Sequence, residues 1–253
     1  MRNIEVLRAL ASKGNTFTIN DAARETRLER GALKKMLFRM EKRGWIERIE
    51  KGKYLVIPLN AEKGRYTLHE FVIGSLLVDP HCIGYWSALN YYGFTEQIPA
   101  TVFIQTTSRK KRQKINIFGV KYNIARLKKE KFFGINKELL EDSQINISDR
   151  EKTIVDCLDK PELCGGIIEG AKALKNGKYS INKVLRYANR IGNTGVLRRL
   201  GYLSEKLSID INVPKINTRN YLFLDPTMPH RGQKSSKWRL IVNLSDKELG
   251  SLE

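Results

Sequence analysis

The sequence predicts an α+β protein: a small N-terminal unit of helices closed by a hairpin, followed by a larger mixed α/β domain. Three observations carry this. Apolar residues recur at helical spacing up to Met40, two alternating apolar runs follow up to Ile57, and the remainder mixes strand patterning near 100–125 with helical patterning near 148–207. Of the 253 residues, 41% are hydrophobic, enough for a sizeable core, and the length suits one large or two modest domains. The expected domains are 1–60 and 65–253, joined by the polar stretch Pro58 to Gly64.

The N-terminal elements follow in order. Ile4, Leu7 and Leu10 share one helical face with Val6 and Ala11 nearby, and Gly14-Asn15 ends that helix. Phe17 and Ile19 flank Thr18 in a short extended piece. Asn20 is the expected N-cap of a helix from Asp21 to Thr26, in which Ala22 and Ala23 allow close packing. Leu28 lies in a turn. Glu29 or Arg30 opens a third helix that runs to about Arg43, with Gly44 as its C′ residue. Leu33, Leu37 and Met40, with Met36 beside them, give this helix an apolar face. Its other face carries Arg30, Gly31, Lys34, Lys35, Phe38 and Arg39, and Lys42 and Arg43 suit the negative end of the helix dipole. Trp45 to Ile49 and Tyr54 to Ile57 read as strands around the turn Lys51-Gly52-Lys53.

Three short helices and a basic-tipped hairpin make a winged helix-turn-helix. Met1 to Pro58 holds fourteen basic and seven acidic residues, and the basic ones sit on the helix and turn that such a fold offers to DNA. The expected DNA-binding residues are Arg30, Gly31, Lys34, Lys35, Phe38, Arg39, Lys51 and Lys53. Arg30 is placed for bidentate contact with guanine, and the wing lysines for phosphate. Against this stands the plainer reading that Lys34, Lys35 and Arg39 form a solvated face; the charge distribution favours DNA.

The whole chain has a net charge of +19, which repels itself and points to an acidic partner. Double-stranded DNA leads. A membrane surface is disfavoured, since no basic segment makes an amphipathic helix with an aromatic face. No apolar run nears the ~20 residues of a spanning helix, and MRNIEVLRAL lacks a signal-peptide core, so a soluble cytoplasmic protein is expected. Cys82, Cys157 and Cys164 cannot build a disulfide framework, and with His69, His81 and His230 they lack zinc-ligand spacing. No metal and no cofactor is expected.

In the larger domain, Thr67 to Val78 and His81 to Tyr92 read as helices. Thr101 to Gln105, Ile115 to Phe118 and Val120 to Ile124 read as strands. The basic turn Arg109-Lys110-Lys111-Arg112 is either a solubilising tip or a second contact for nucleic acid or an acidic protein. Ser148 and Glu151 have capping-box spacing at the start of a helix. Further helices are expected over Ile167 to Leu174, Ile181 to Arg190 and Thr194 to Leu207, then a short strand over Asn220 to Leu224. The tail from Pro226 to Lys237 reads as loop.

Ile83 to Thr107 (IGYWSALNYYGFTEQIPATVFIQTT) and Ile147 to Gly170 (ISDREKTIVDCLDKPELCGGIIEG), behind a winged helix, resemble AbiEi-type antitoxins over nearly the whole chain, more weakly after about Lys206. The resemblance implies the antitoxin half of a bicistronic, type IV toxin–antitoxin system. It implies an autoregulatory repressor that binds inverted repeats in its operon promoter, and a nucleotidyltransferase-like toxin as functional partner. Within the resembling blocks, Tyr85, Trp86, Leu89 and Tyr92 read as core, and Asp149, Arg150, Glu151 and Asp156 as a capping and ion-pair set; a toxin-facing or DNA-facing role is the less favoured alternative for both.

Two alternatives stand beside this reading: a winged-helix protein-interaction module, and a metal-dependent nuclease. A nuclease needs clustered carboxylates. Asp149, Glu151, Asp156 and Asp159 are grouped, but Asp149, Asp156 and the neighbouring Glu151 are expected on different sides of one helix, and solvated carboxylates account for the group better. No G-x-S-x-G, HExxH or Gly-rich phosphate loop is present, so no enzymatic activity is expected.

Overall fold

The computed structural model describes residues 3–12, 14, 16–57, 68–141, 143–214, 216–245 and 247–248. The linker expected at Pro58 to Gly64 lies outside them. The chain divides into two compact units, Met1–Asp79 with Glu138–Ile145, and Pro80–Lys137 with Asn146–Glu253.

In the first unit the order is α1 (Asn3–Ala11), β1 (Thr16–Thr18), α2 (Ile19–Thr26), α3 (Arg30–Lys42), β2 (Ile46–Glu50), β3 (Lys53–Val56) and α4 (Glu70–Leu77). The strands form an antiparallel sheet in the order β1-β3-β2. Val6, Leu7 and Leu10 of α1 meet Leu33, Met36, Leu37 and Met40 of α3 in one buried cluster with Phe17, Ala22, Ile46, Tyr54 and Val56. This is the winged helix-turn-helix that the periodicity predicts, in an α+β chain.

The start of α2 differs from expectation. Its N-cap is Thr18, not Asn20, which is exposed. The Thr18 hydroxyl accepts from the Asp21 N–H at 3.2 Å, and the Asp21 carboxylate accepts from the Thr18 N–H at 2.8 Å. The reciprocal bond from position N3 decides between two residues that can both cap. Burial works against ionisation of Asp21, but the bonds from Thr18 and Arg24 outweigh it and lower its pKa from the usual value of 3.8. Thr18→Ala is expected to cost about 1 kcal/mol in urea denaturation at neutral pH. A carboxyl with a depressed pKa stabilises above its unfolded value and loses that contribution as pH falls, so the gap between variant and wild type should narrow below pH 3.8, where the bond from the Asp21 N–H to the Thr18 hydroxyl remains.

The second unit begins with β4 (Cys82–Ile83), α5 (Tyr85–Tyr91), β5 (Thr101–Thr106), β6 (Lys114–Ile117) and β7 (Val120–Arg126). Next along the chain are β8 (Ile135–Leu140) and β9 (Ser143–Ser148), whose residues Glu138–Ile145 are counted with the first unit, and then, in the second unit, α6 (Arg150–Asp159), α7 (Ile167–Asn176), α8 (Ile181–Ile191) and α9 (Thr194–Lys206). The chain ends its described part with β10 (Leu222–Phe223), β11 (Gln233–Ser235) and β12 (Leu240–Val242). The larger sheet is mixed, in the order β6-β7-β5-β4-β9-β8, and a small sheet runs β10-β12-β11. Two stretches depart from the reading of the sequence. His81 to Tyr92 is not one helix, because Cys82-Ile83 pairs with β5 before α5 starts. The tail from Pro226 to Lys237 is not all loop, because β11 pairs with β12.

Helix α6 is buried on every side, from Glu151 to Leu158. Its N-cap is Asp149 rather than Ser148: the Asp149 side chain accepts from the Lys152 N–H at 2.8 Å. Tyr85 and Leu89 are buried in the core of this unit, with Trp86 and Tyr92 packed against it. Buried Arg199 of α9 donates to the carbonyls of Leu224, Leu158 and Phe223 at 2.9, 2.8 and 3.1 Å, which anchors the small sheet to α6 and α9.

Candidate nucleic-acid interface

Helix α3 separates two chemistries cleanly. Leu33, Met36, Leu37 and Met40 are buried, while Arg30, Gly31, Lys34, Lys35, Phe38 and Arg39 are all exposed. The cations of this set, Arg30, Lys34, Lys35 and Arg39, make no ion pair with any described residue. Their charge is therefore fully available at the surface. The helix starts at Glu29, whose side chain makes no capping bond, so the first N–H groups face solvent as well. Phe38 is 58% exposed, and the Lys42 ammonium lies 5.2 Å from its ring centroid. Arg43 stacks over Trp45 at 5.0 Å, which ties the end of α3 to the start of β2.

Gly31 occupies the first turn of α3, and a Cβ there would meet nothing within 4 Å. Nothing inside the protein requires glycine at this position. Gly31→Ala is expected to raise stability by about 0.5–1 kcal/mol, read from the urea midpoint, because helical glycine carries an entropic cost. A loss of stability would show that the backbone at Gly31 is not ordinary helix.

The wing turn joins β2 to β3. Gly52 adopts φ +78°, a conformation that a side chain would strain, and its carbonyl accepts from the Ile19 N–H at 2.8 Å. Lys51 is exposed at the tip. The Lys53 ammonium donates to the Leu76 carbonyl of α4 and lies 3.5 Å from the Glu50 carboxylate. It fastens the start of β3, directly after the wing turn, to α4. That acceptor comes from an element more than twenty residues away, so the turn sequence held no sign of it.

Arg109, Lys111 and Arg112 are exposed and Lys110 half-buried in the connection from β5 to β6. They belong to the second unit, whereas α3 and the wing belong to the first. Another cationic group was not singled out from the sequence. Lys234 and Arg239 both lie 5.4 Å from the Tyr221 ring centroid, and a cleft of about 600 Å³ nearby is lined by Lys206, Arg231 and Lys234. The signal was present: five cations and three aromatic residues lie from Arg219 to Arg239, where Asp225 is the one acid.

The grouped carboxylates are not solvated, contrary to expectation. Asp149, Glu151 and Asp156 are buried, and each is held by protein partners. Lys183 bridges Asp149 and Glu151 at 3.1 and 2.8 Å; burial alone would lower its pKa, but the two carboxylates outweigh that and raise it. Asp156 pairs with Lys152 and accepts from Gln105 at 2.6 Å. The set is a cap with ion pairs, as its alternative description has it. Among the described residues no group of three or more His, Cys, Asp or Glu side chains is arranged to hold a metal. All three cysteines are buried, and burial pushes the Cys82 thiol up to about 12.

Fold and surface together define a winged-helix protein with a cationic third helix. Residues 5–57, the winged-helix segment, match the family model described as a transcriptional regulator, AbiEi antitoxin. That is the family the sequence resembles, and the match supports a role as transcriptional regulator and antitoxin. Comparison with curated proteins gives no match. Among solved structures, the crystal structure of the RV2827C protein from Mycobacterium tuberculosis is similar at a TM-score of 0.65 and 13% identity. The similarity covers 98% of this chain and 93% of that one, and at this identity it bears on fold alone. No helix among the described residues is long and apolar enough to cross a membrane.

Proposed function

We propose that this chain is an antitoxin that represses its own operon. It binds inverted repeats in the promoter through α3 and the wing, and it counteracts a nucleotidyltransferase-like toxin. The observation that carries the reading is the cationic face of α3, without an ion pair to any described residue and opposite an apolar one, on the segment that matches the antitoxin family. The major groove is wide enough for such a helix. Arg30 reads guanine, Lys34, Lys35 and Arg39 grip phosphates, and Lys51 grips the backbone from the wing tip. Lys53 supports the wing from within. The loop Arg109 to Arg112 is a second basic contact.

A mobility-shift assay with the DNA upstream of this protein's gene, against random duplex of the same length, tests the proposal. Preferential binding of the upstream DNA supports it. Binding to neither duplex would favour the protein-interaction module instead, and cleavage of plasmid DNA that needs Mg²⁺ and disappears in Glu151→Ala would favour the nuclease.

A further inference from the structure

Resting on the DNA-binding reading above, we propose that Phe38 reads the C5-methyl group of thymine in the major groove, which makes the preferred duplex one with thymine facing the middle of α3. The ring is 58% exposed, although its neighbours Leu37, Met36 and Met40 are buried. Folding makes little use of it: its ring contact is the Lys42 ammonium, one turn along the same exposed stripe. At 3.6 residues per turn, Gly31, Lys35, Phe38 and Lys42 line up directly opposite the buried face. Phe38 is the apolar member of that stripe, and it stands among cations.

The stripe is also narrow where it begins. With no side chain at Gly31 and nothing within 4 Å of the place one would occupy, the first turn can approach the duplex closely. Close approach of the first turn carries a side chain two turns later toward the base edges. There the groove offers one apolar group, the thymine methyl; guanine, cytosine and adenine present donors and acceptors. A phenyl ring pressed on those groups strips them of water and returns no hydrogen bond, a penalty that thymine's methyl avoids. The cations of the stripe bind any sequence, so the ring supplies choice where they supply grip.

The test amplifies the DNA upstream of this protein's gene twice, once with dTTP and once with dUTP, so that the fragments differ only in the thymine methyl. Affinity is read by fluorescence anisotropy for wild type, Phe38→Ala and Phe38→Leu. Wild type is expected to bind the dUTP fragment about fourfold more weakly for each contacted methyl, the factor that burial of one such group gives. Phe38→Ala should bind both fragments alike, and Phe38→Leu should retain part of the difference. Wild type binding the two fragments equally overturns the proposal, as does Phe38→Ala that keeps the full difference. If wild type binds neither fragment above random duplex, the DNA-binding reading itself fails and this inference with it; binding without methyl dependence removes the inference alone.

Discussion

Replacing Lys34 and Lys35 together with alanine is expected to weaken DNA binding roughly thirtyfold at 0.15 M salt and to flatten the slope of log K against log salt by about two. Each lysine that neutralises a phosphate releases condensed counterions and adds close to one unit to that slope. Both side chains are exposed on α3 and make no ion pair with a described residue, so neither has internal work to lose. The fold should be unaffected, because the buried face is carried by Leu33, Met36, Leu37 and Met40. A salt titration of binding for both proteins checks this. An unchanged slope would show that this helix does not lie on phosphates, whatever the loss of affinity.

The second large effect concerns the interior of the second unit. Lys152 is fully buried and ion-paired with Asp156, itself 2% exposed, and Gln105 donates to the other carboxylate oxygen at 2.6 Å. Lys152→Met is expected to cost about 3–5 kcal/mol at neutral pH, because it leaves a buried carboxylate without its cation. Burial already raises the Asp156 pKa above its usual 3.8, and losing Lys152 removes the largest opposing effect. A carboxyl with a raised folded pKa destabilises above that pKa and ceases to do so once protonated in both states. The deficit should therefore shrink as pH falls toward 3.8. Lys152→Met with Asp156→Leu should recover most of the loss, since apolar groups of similar size often replace a buried pair without cost. Denaturant titrations at several pH values measure all of this, and a single Lys152→Met variant as stable as wild type would refute the buried pair.

What could be read from the sequence was what periodicity encodes. The apolar triplet of α3 fixed both its buried face and, by exclusion, the exposed one that carries Arg30, Lys34 and Lys35. The strands from Thr101 to Arg126 were legible from the β-branched and aromatic run Thr101 to Ile104 in β5 and from alternation in β7. Elements shaped by distant partners were not. Cys82-Ile83 is too short to show a period and becomes a strand only by pairing with β5 and β9. The caps of α2 and α6 are Thr18 and Asp149 rather than Asn20 and Ser148, because neighbouring residues that can all cap are separated only by hydrogen-bond geometry. Helix α6 was legible as a helix, but its burial was not. It is buried all round, and charged residues that look solvated in the sequence are satisfied by Lys183, Ser180 and Gln105 from other elements.

Site-directed photocrosslinking tests the placement of α3 on DNA most directly. The three native cysteines are buried, so benzophenone maleimide marks a single introduced cysteine. The labelled proteins would be Lys35→Cys on α3, Lys51→Cys on the wing and Ile98→Cys on a loop of the second unit where the native side chain is 85% exposed. Irradiated with the upstream duplex, Lys35→Cys and Lys51→Cys are expected to crosslink to DNA. Crosslinks from Ile98→Cys with none from either winged-helix position would place the duplex elsewhere on the protein and contradict the proposed interface.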